Sequence, residues 1–112
     1  QYGLPVKIIN LNNRALGMVK QWQDMQYGGR YSSISYEDSL PDFVKLAESF
    51  GHVGLKVEKF SELNAAMEEA FSLKDKLVFL DVLIDPDEHV YPMLEAGGSM
   101  SEMRISKKDK TF

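Results

Sequence analysis

The chain alternates between short, almost continuous apolar runs and longer segments in which apolar residues return every three or four positions. Val6–Leu11 (VKIINL) is rich in β-branched residues and barely alternates, the pattern of a strand buried on both faces. Pro5 suits the position that opens such a strand. From Ala15 to Met25 the apolar residues Ala15, Met18, Val19, Trp22 and Met25 fall on one helical face. Tyr27–Ser39 has no period and reads as a long loop, a kind of segment that is usually functional or mobile. Ser39 is placed to cap a second helix with Pro41 and Asp42 in its first turn, a stripe of Phe43, Leu46, Ala47 and Phe50, and Gly51 as its stop. Gly54–Lys59 reads as a short strand. Ser61 is placed to cap a third helix with the stripe Leu63, Ala66, Met67, Ala70 and Phe71. Leu77–Ile84 (LVFLDVLI) is apolar apart from Asp81 and reads as a central strand, followed by an irregular tail.

Strands alternating with helices imply an α/β fold, a parallel sheet with helices on both faces. Three strands are too few for a complete doubly wound domain, so the expectation is part of one, its C-terminal half. A length of 112 residues allows one domain. The expected layout is that half-domain over residues 1–98 and a C-terminal tail over 99–112. The first residue is not Met and a strand follows almost at once, which favours an excised piece of a longer chain.

Charge and composition then remove several function classes. Thirteen basic against seventeen acidic residues leave a net charge of −4, without the electrostatic footprint of a nucleic-acid or anionic-membrane binder. The basic cluster Ser106–Lys110 is too short to alter this. Without cysteine there is no disulfide framework, thiolate nucleophile or zinc–thiolate site, which fits a cytoplasmic protein. No apolar run approaches the roughly 20 residues that span a bilayer, and the N-terminus has no signal-peptide pattern.

Candidate chemistry is concentrated at one strand end. No glycine-rich phosphate loop occurs, and His52 and His89 have no partner at metal-ligand spacing. Asp81, Asp85, Asp87 and Glu88 lack the glycine and the closing glutamate of a calcium loop and read as a solvated strand end. Asn12 and Asn13 close the first strand where open parallel sheets hold ligands, and the following helix aims its free N–H groups at the same place. Gly17 allows close backbone approach by an anion, and Asn13 offers a neutral oxygen to a cation. The same pattern also suits a plain turn, because Asn tolerates unusual dihedrals.

The segment LPVKIINLNNRALGMVKQWQDMQYGGRYS, continued by LPDFVKLAESFG and FLDVLIDPDEHVYPMLEAGG, resembles the C-terminal, thiamin-diphosphate-binding domain of acetohydroxyacid synthase (acetolactate synthase) large subunits. Paired asparagines alone mark thiamin-diphosphate enzymes in general. LGMVKQWQ together with EHVYPM and the following Gly-Gly is particular to this family, in its bacterial form with a small regulatory subunit.

That resemblance implies a bacterial, cytoplasmic, herbicide-targeted transferase of branched-chain amino-acid biosynthesis. It joins two pyruvates, or pyruvate and 2-ketobutyrate, with loss of carbon dioxide, using thiamin diphosphate, Mg²⁺ and an FAD bound outside this segment. It implies Asn13 and the carbonyl of Ala15 as Mg²⁺ ligands, and Leu16, Gly17 and Met18 against the cofactor. Met18, Val19 and Trp22 would line the substrate channel, with Ala96 and Gly97 closing over its entrance. The family's Gly-Asp-Gly metal segment, its activating glutamate and its FAD domain have no match here, so no catalytic residue is expected in the chain and the piece alone is expected to be inactive. The implied partners are 2-keto acids, the rest of the catalytic subunit, a second copy and the small subunit, with no nucleic acid and no membrane. The rival readings are another thiamin-diphosphate carboligase or decarboxylase, such as a glyoxylate carboligase, and a non-enzymatic α/β binding module.

Overall fold

A computed structural model describes residues 2–36 and 38–106. The elements follow the expected order: strand β1 (Lys7–Asn12), helix α1 (Gly17–Tyr27), helix α2 (Phe43–Ser49), strand β2 (Val53–Val57), helix α3 (Leu63–Ser72) and strand β3 (Val78–Leu83). Single 3₁₀ turns occupy Phe60–Glu62 and Met100–Glu102. The residues gather into two compact units. The first holds the chain up to Ala15 and from Tyr36 to Pro86; the second holds Leu16 to Ser35 and the chain from Asp87 onward. Of the basic cluster Ser106–Lys110, all but Ser106 lies outside the described residues.

The first unit is a parallel three-stranded sheet in the order β1-β3-β2. Leu77–Ile84 was expected to be central, and β3 is. Because side chains alternate along a strand, β3 serves two layers. Leu80 and Val82, with Val57 of β2, form a core closed by Leu63, Ala66 and Met67 of α3. On the opposite face Phe79 stacks on Phe43 of α2, with ring centroids 5.7 Å apart and an interplanar angle of 11°. Helices therefore cover both faces, as the alternation of elements predicts.

Three local expectations are corrected. β1 is not buried on both faces: Ile8 and Ile9 are exposed, and Leu11 is 65% exposed. Among the described residues it lies at the edge of the sheet, and α3 lies against β2 and β3 instead. α2 is capped by Asp42, whose carboxylate accepts the Lys45 N–H at 3.1 Å, rather than by Ser39. Its buried side is Phe43, Val44 and Ala47, so Leu46 and Phe50 face outward, while Gly51 ends the helix as expected at φ +76°. α3 begins at Leu63 rather than just after Ser61. There Glu62 accepts the N–H groups of Glu58 and Lys59 at 3.0 and 3.1 Å, and a 3₁₀ turn leads in; Phe71 is exposed.

The second unit is built around α1, whose most buried side chains are polar. Gln21 is 1% exposed, and its amide donates to the Val90 carbonyl at 2.9 Å while accepting the Val90 N–H at 2.8 Å. Both halves of the amide are satisfied, which is the condition for burying it without a desolvation loss. Ile34 in the long loop is 3% exposed and bonds the Leu16 N–H through its carbonyl, so the loop is anchored at that point. No helix among the described residues is long and apolar enough to cross a membrane.

One strand position in the first unit admits no side chain. A Cβ on Gly54 would lie 2.7 Å from both the Cα and the carbonyl oxygen of Val44. The backbone of α2 thus rests on β2 beside the Phe43–Phe79 stack, since Gly54 is the register partner of Phe79. Glycine inside a strand marks such close approach. Gly54→Ala is expected to push α2 off the sheet and cost about 1–3 kcal/mol, read as a lower urea midpoint. An unchanged midpoint would show that α2 does not rest on this glycine.

Candidate functional site

β1 ends in a tight turn made by its two asparagines. The Asn12 side-chain oxygen accepts the Arg14 N–H at 3.0 Å, and the Asn13 side-chain oxygen accepts the Ala15 N–H at 3.1 Å. Each side chain clasps the backbone two residues on, the local bond that makes Asn a turn residue. Between them Arg14 takes a left-handed φ of +56°, uncommon for a residue with a side chain. The Arg14 carbonyl in turn accepts the Tyr36 N–H at 3.0 Å. The turn is therefore present, made by the asparagine side chains, while its unusual dihedral falls on Arg14 rather than on either Asn.

The turn does not exhaust Asn13. An amide oxygen has two lone pairs, and the bond to Ala15 uses one. The donors on offer at Asn13 and Ala15 are neutral, hard oxygens, a type that Mg²⁺ accepts alongside phosphate and water. The donor set fits that metal as a partial shell.

Asp81 is the residue the sequence reading misplaced. It does not sit at a solvated strand end: it is 4% exposed in the middle of β3. Asn10 donates to one of its carboxylate oxygens at 2.8 Å, and Asn12 to the other at 3.3 Å. Asp85, Asp87 and Glu88 are exposed, and among the described residues no group of three metal-ligating side chains forms. The signal for Asp81 was a lone acid in an apolar strand whose parallel neighbour carries amides at alternate positions. It needed the register, Asn10 opposite Asp81, to be read.

In the second unit, α1 opens at Gly17 after Leu16, with no side-chain cap and no acidic residue in its first turn. Its positive dipole end is thus not countered by a side chain of its own. Leu16, Met18 and Val19 are exposed and Trp22 is half-buried. Of these, Met18, Val19 and Trp22 share one helical side, so that part of the expected stripe is real, but in this chain it is not core; Leu16 precedes the helix as its N-cap. Ala96 and Gly97 form an exposed turn closed by a bond from the Gly98 N–H to the Glu95 carbonyl, with Gly97 at φ +84°.

The buried side of α1 carries a charged cluster that the sequence reading missed. Lys20, 8% exposed, donates to Asp87 at 2.6 Å, to Asp24 at 3.1 Å and to the Tyr31 hydroxyl at 3.1 Å. His89 Nε2 lies 2.8 Å from the Asp24 carboxylate, which also accepts from the Tyr31 hydroxyl. Burial by itself would lower the Lys20 pKa, but the bonds to Asp87, Tyr31 and Asp24 outweigh it and raise it well above the usual lysine value. Burial likewise pushes Asp24 up, and the bonds from Tyr31, Lys20 and His89 more than reverse this, leaving it below the usual aspartate value. An open cleft of about 320 Å³ lies here, lined by Asp24, Met25, Tyr31, Asp87, His89 and Arg104 among others. The i, i+4 pair Lys20–Asp24 was the one sequence signal for it.

Comparison with known proteins agrees with the resemblance drawn from the motifs. The chain is 61% identical over 107 residues to the acetolactate synthase large subunit of Haemophilus influenzae, covering 96% of this chain and 18% of that protein. It is 56% identical over 113 residues to the acetolactate synthase isozyme 3 large subunit of Escherichia coli K12, covering 99% of this chain and 20% of that protein. A more distant relative, the acetolactate synthase large subunit of Corynebacterium glutamicum, is 40% identical over 107 residues, 93% of this chain and 17% of its own length. The chain thus spans about a fifth of the length of the curated relatives it matches. The family model described as thiamine pyrophosphate enzyme, C-terminal TPP binding domain, matches residues 1–82. With the first strand, the paired-asparagine turn, all three α-helices and all but the last residue of the central strand inside that match, the chain belongs to the thiamine pyrophosphate enzymes, as part of their C-terminal cofactor-binding domain.

Proposed function

We propose that the chain is the C-terminal part of a bacterial acetolactate synthase catalytic subunit, condensing two 2-keto acids with loss of carbon dioxide in the cytoplasm. The observation that carries this is the near-complete coverage of the chain at 56–61% identity to large subunits of that enzyme. The large subunits named above favour this reading over another thiamin-diphosphate carboligase. Bound thiamin diphosphate would supply the carbanion chemistry. FAD would sit in parts of the subunit outside this chain.

Within this proposal the residues divide by task. Asn13 Oδ1 and the Ala15 carbonyl hold Mg²⁺, with the anionic ligands coming from the diphosphate and from another segment of the subunit. Leu16, Gly17 and Met18 present the uncapped first turn of α1 to the diphosphate, where free N–H groups and the dipole favour negative charge. Met18, Val19 and Trp22 line the channel that the acceptor keto acid enters and keep water from it. Ala96 and Gly97 close over the entrance. The exposed apolar surface of β1 and of α1 supports this assignment, since a larger subunit, a second copy of it and a small regulatory subunit offer surfaces to cover it.

Two measurements on the complete catalytic subunit test the assignment. Asn13→Ala removes one metal ligand, and losses around metal sites commonly cost 10–100-fold. The apparent Kd for thiamin diphosphate at fixed Mg²⁺ is therefore expected to rise at least about tenfold. An unchanged Kd would leave Asn13 as a turn residue only. Trp22→Leu removes the indole that packs on the extra methyl group of 2-ketobutyrate. One methylene in an apolar pocket is worth about 10–200-fold, so preference for 2-ketobutyrate over pyruvate should fall by about tenfold while the melting temperature holds. A lowered melting temperature with an unchanged product ratio would place Trp22 in the core instead.

A further inference from the structure

We infer that Asp81 is the positioning residue of the metal-binding turn, acting through Asn12 to set the geometry of Asn13 and Ala15. The inference rests on the reading of Asn13 and Ala15 as Mg²⁺ ligands. It adds a residue nearly seventy positions away that touches neither metal nor cofactor.

An ionised Asp accepts hydrogen bonds and donates none. Asp81 is 4% exposed, and Asn10 and Asn12 each donate an amide N–H to it. Lys56, its register partner on β2, is engaged with Glu58 at 2.6 Å. Because only the nitrogen end of the Asn12 amide can face an acceptor-only group, the oxygen end must point the other way. It points at the Arg14 N–H, 3.0 Å distant.

The flip state of Asn12 is thus dictated from β3, and it matters for the turn. The bond from Arg14 N–H to Asn12 Oδ1 closes over Asn13 and fixes the amide of Arg14, whose own φ is left-handed at +56°. Reverse the amide and an N–H would face that N–H, two donors with no acceptor between them. The turn would reopen at Arg14, and both the Asn13 side chain and the Ala15 carbonyl would shift. Mg²⁺ demands a near-ideal octahedron, so a small shift of two of its oxygens is felt directly in affinity. Asn10 acts as a brace. By filling the second carboxylate oxygen it leaves Asp81 one orientation in which both amides are served.

The relay gives the charge in the middle of the central strand a task. A buried carboxylate is expensive unless its lone pairs are filled, and apolar residues fill the neighbouring positions Leu80 and Val82. Asp81→Asn is nearly isosteric but presents either end of an amide, so it no longer dictates the orientation of Asn12. Asp81→Glu restores an acceptor-only group on a longer stem.

The test uses the complete catalytic subunit and calorimetric titration with thiamin diphosphate at fixed Mg²⁺, beside a thermal melt of the cofactor-free protein. Asp81→Asn is expected to raise the apparent Kd by about tenfold or more, as for other residues that orient metal ligands. Asp81→Glu is expected to fall closer to the parent, and turnover at saturating cofactor is expected to change little for either variant. A Kd for Asp81→Asn equal to the parent's, with or without a lower melting temperature, would overturn the inference and leave Asp81 purely structural. Should Asp81→Asn not fold, Asn10→Ala decides instead, because it frees the second Asp81 oxygen while leaving the Asn12 clasp on Arg14: a raised Kd is expected, and a Kd equal to the parent's overturns the inference. Asn13→Ala, titrated in parallel, separates the two levels. Weakened binding there with unchanged binding in Asp81→Asn refutes the positioning role alone, and unchanged binding in both refutes the ligand assignment beneath it.

Discussion

A single buried carboxylate ties the sheet to the turn that leaves it. Asp81 lies in the central strand with its two oxygens taken by the amides of Asn10 and Asn12 on the neighbouring strand. Ladder bonds alone would hold β1 beside β3 equally well with any side chains in those positions. The side-chain bonds add a requirement on orientation: Asn12 must face inward with its nitrogen, so its oxygen is left for Arg14 and the chain turns there. Fold and candidate site meet in that one amide. The energetic condition is the usual one for buried charge, that every lone pair lost to water be regained inside the protein.

The second unit shows the same economy with different residues. α1 buries Lys20 and Gln21 and exposes Met18 and Val19, the reverse of an ordinary surface helix. Gln21 pairs with the backbone of Val90 through both ends of its amide, and Lys20 gathers Asp24, Tyr31 and Asp87 around one ammonium. These contacts anchor α1 to the segment beyond Asp87 and leave its apolar side open. A helix attached by its polar side is free to offer its apolar side to something else, which is the disposition a substrate channel requires.

Much of this was legible in the sequence. The order of elements, the central position of the last strand and the end of α2 at Gly51 follow from runs, periods and a left-handed glycine, all local properties. Local patterns failed where the answer depended on neighbours. Val6–Leu11 reads as doubly buried because its composition is that of a central strand, but its place at the sheet edge is decided by which strand it pairs with. Ser39 and Ser61 are good caps by type, but α2 begins at Phe43 with Asp42 as its cap, and α3 begins at Leu63 with no side-chain cap bond. Asp81 and Lys20 carried only faint signals as structural charges: Asp24 is a local partner of Lys20, but Asn10, Asn12 and Asp87 lie 67 to 71 residues from the charges they meet. The paired asparagines were found, and there the turn reading and the ligand reading are compatible.

The central claim is that the Asn12–Asn13 turn presents two neutral oxygens to one metal ion. A crystal structure of the complete catalytic subunit with thiamin diphosphate and Mg²⁺ tests it most directly. The account predicts Asn13 Oδ1 and the Ala15 carbonyl oxygen both at about 2.0–2.1 Å from the ion, the spacing of Mg²⁺–oxygen bonds, with Asn12 still bonded to Asp81. A metal shell completed by water or by other residues, with Asn13 Oδ1 engaged only by the Ala15 N–H, would contradict it.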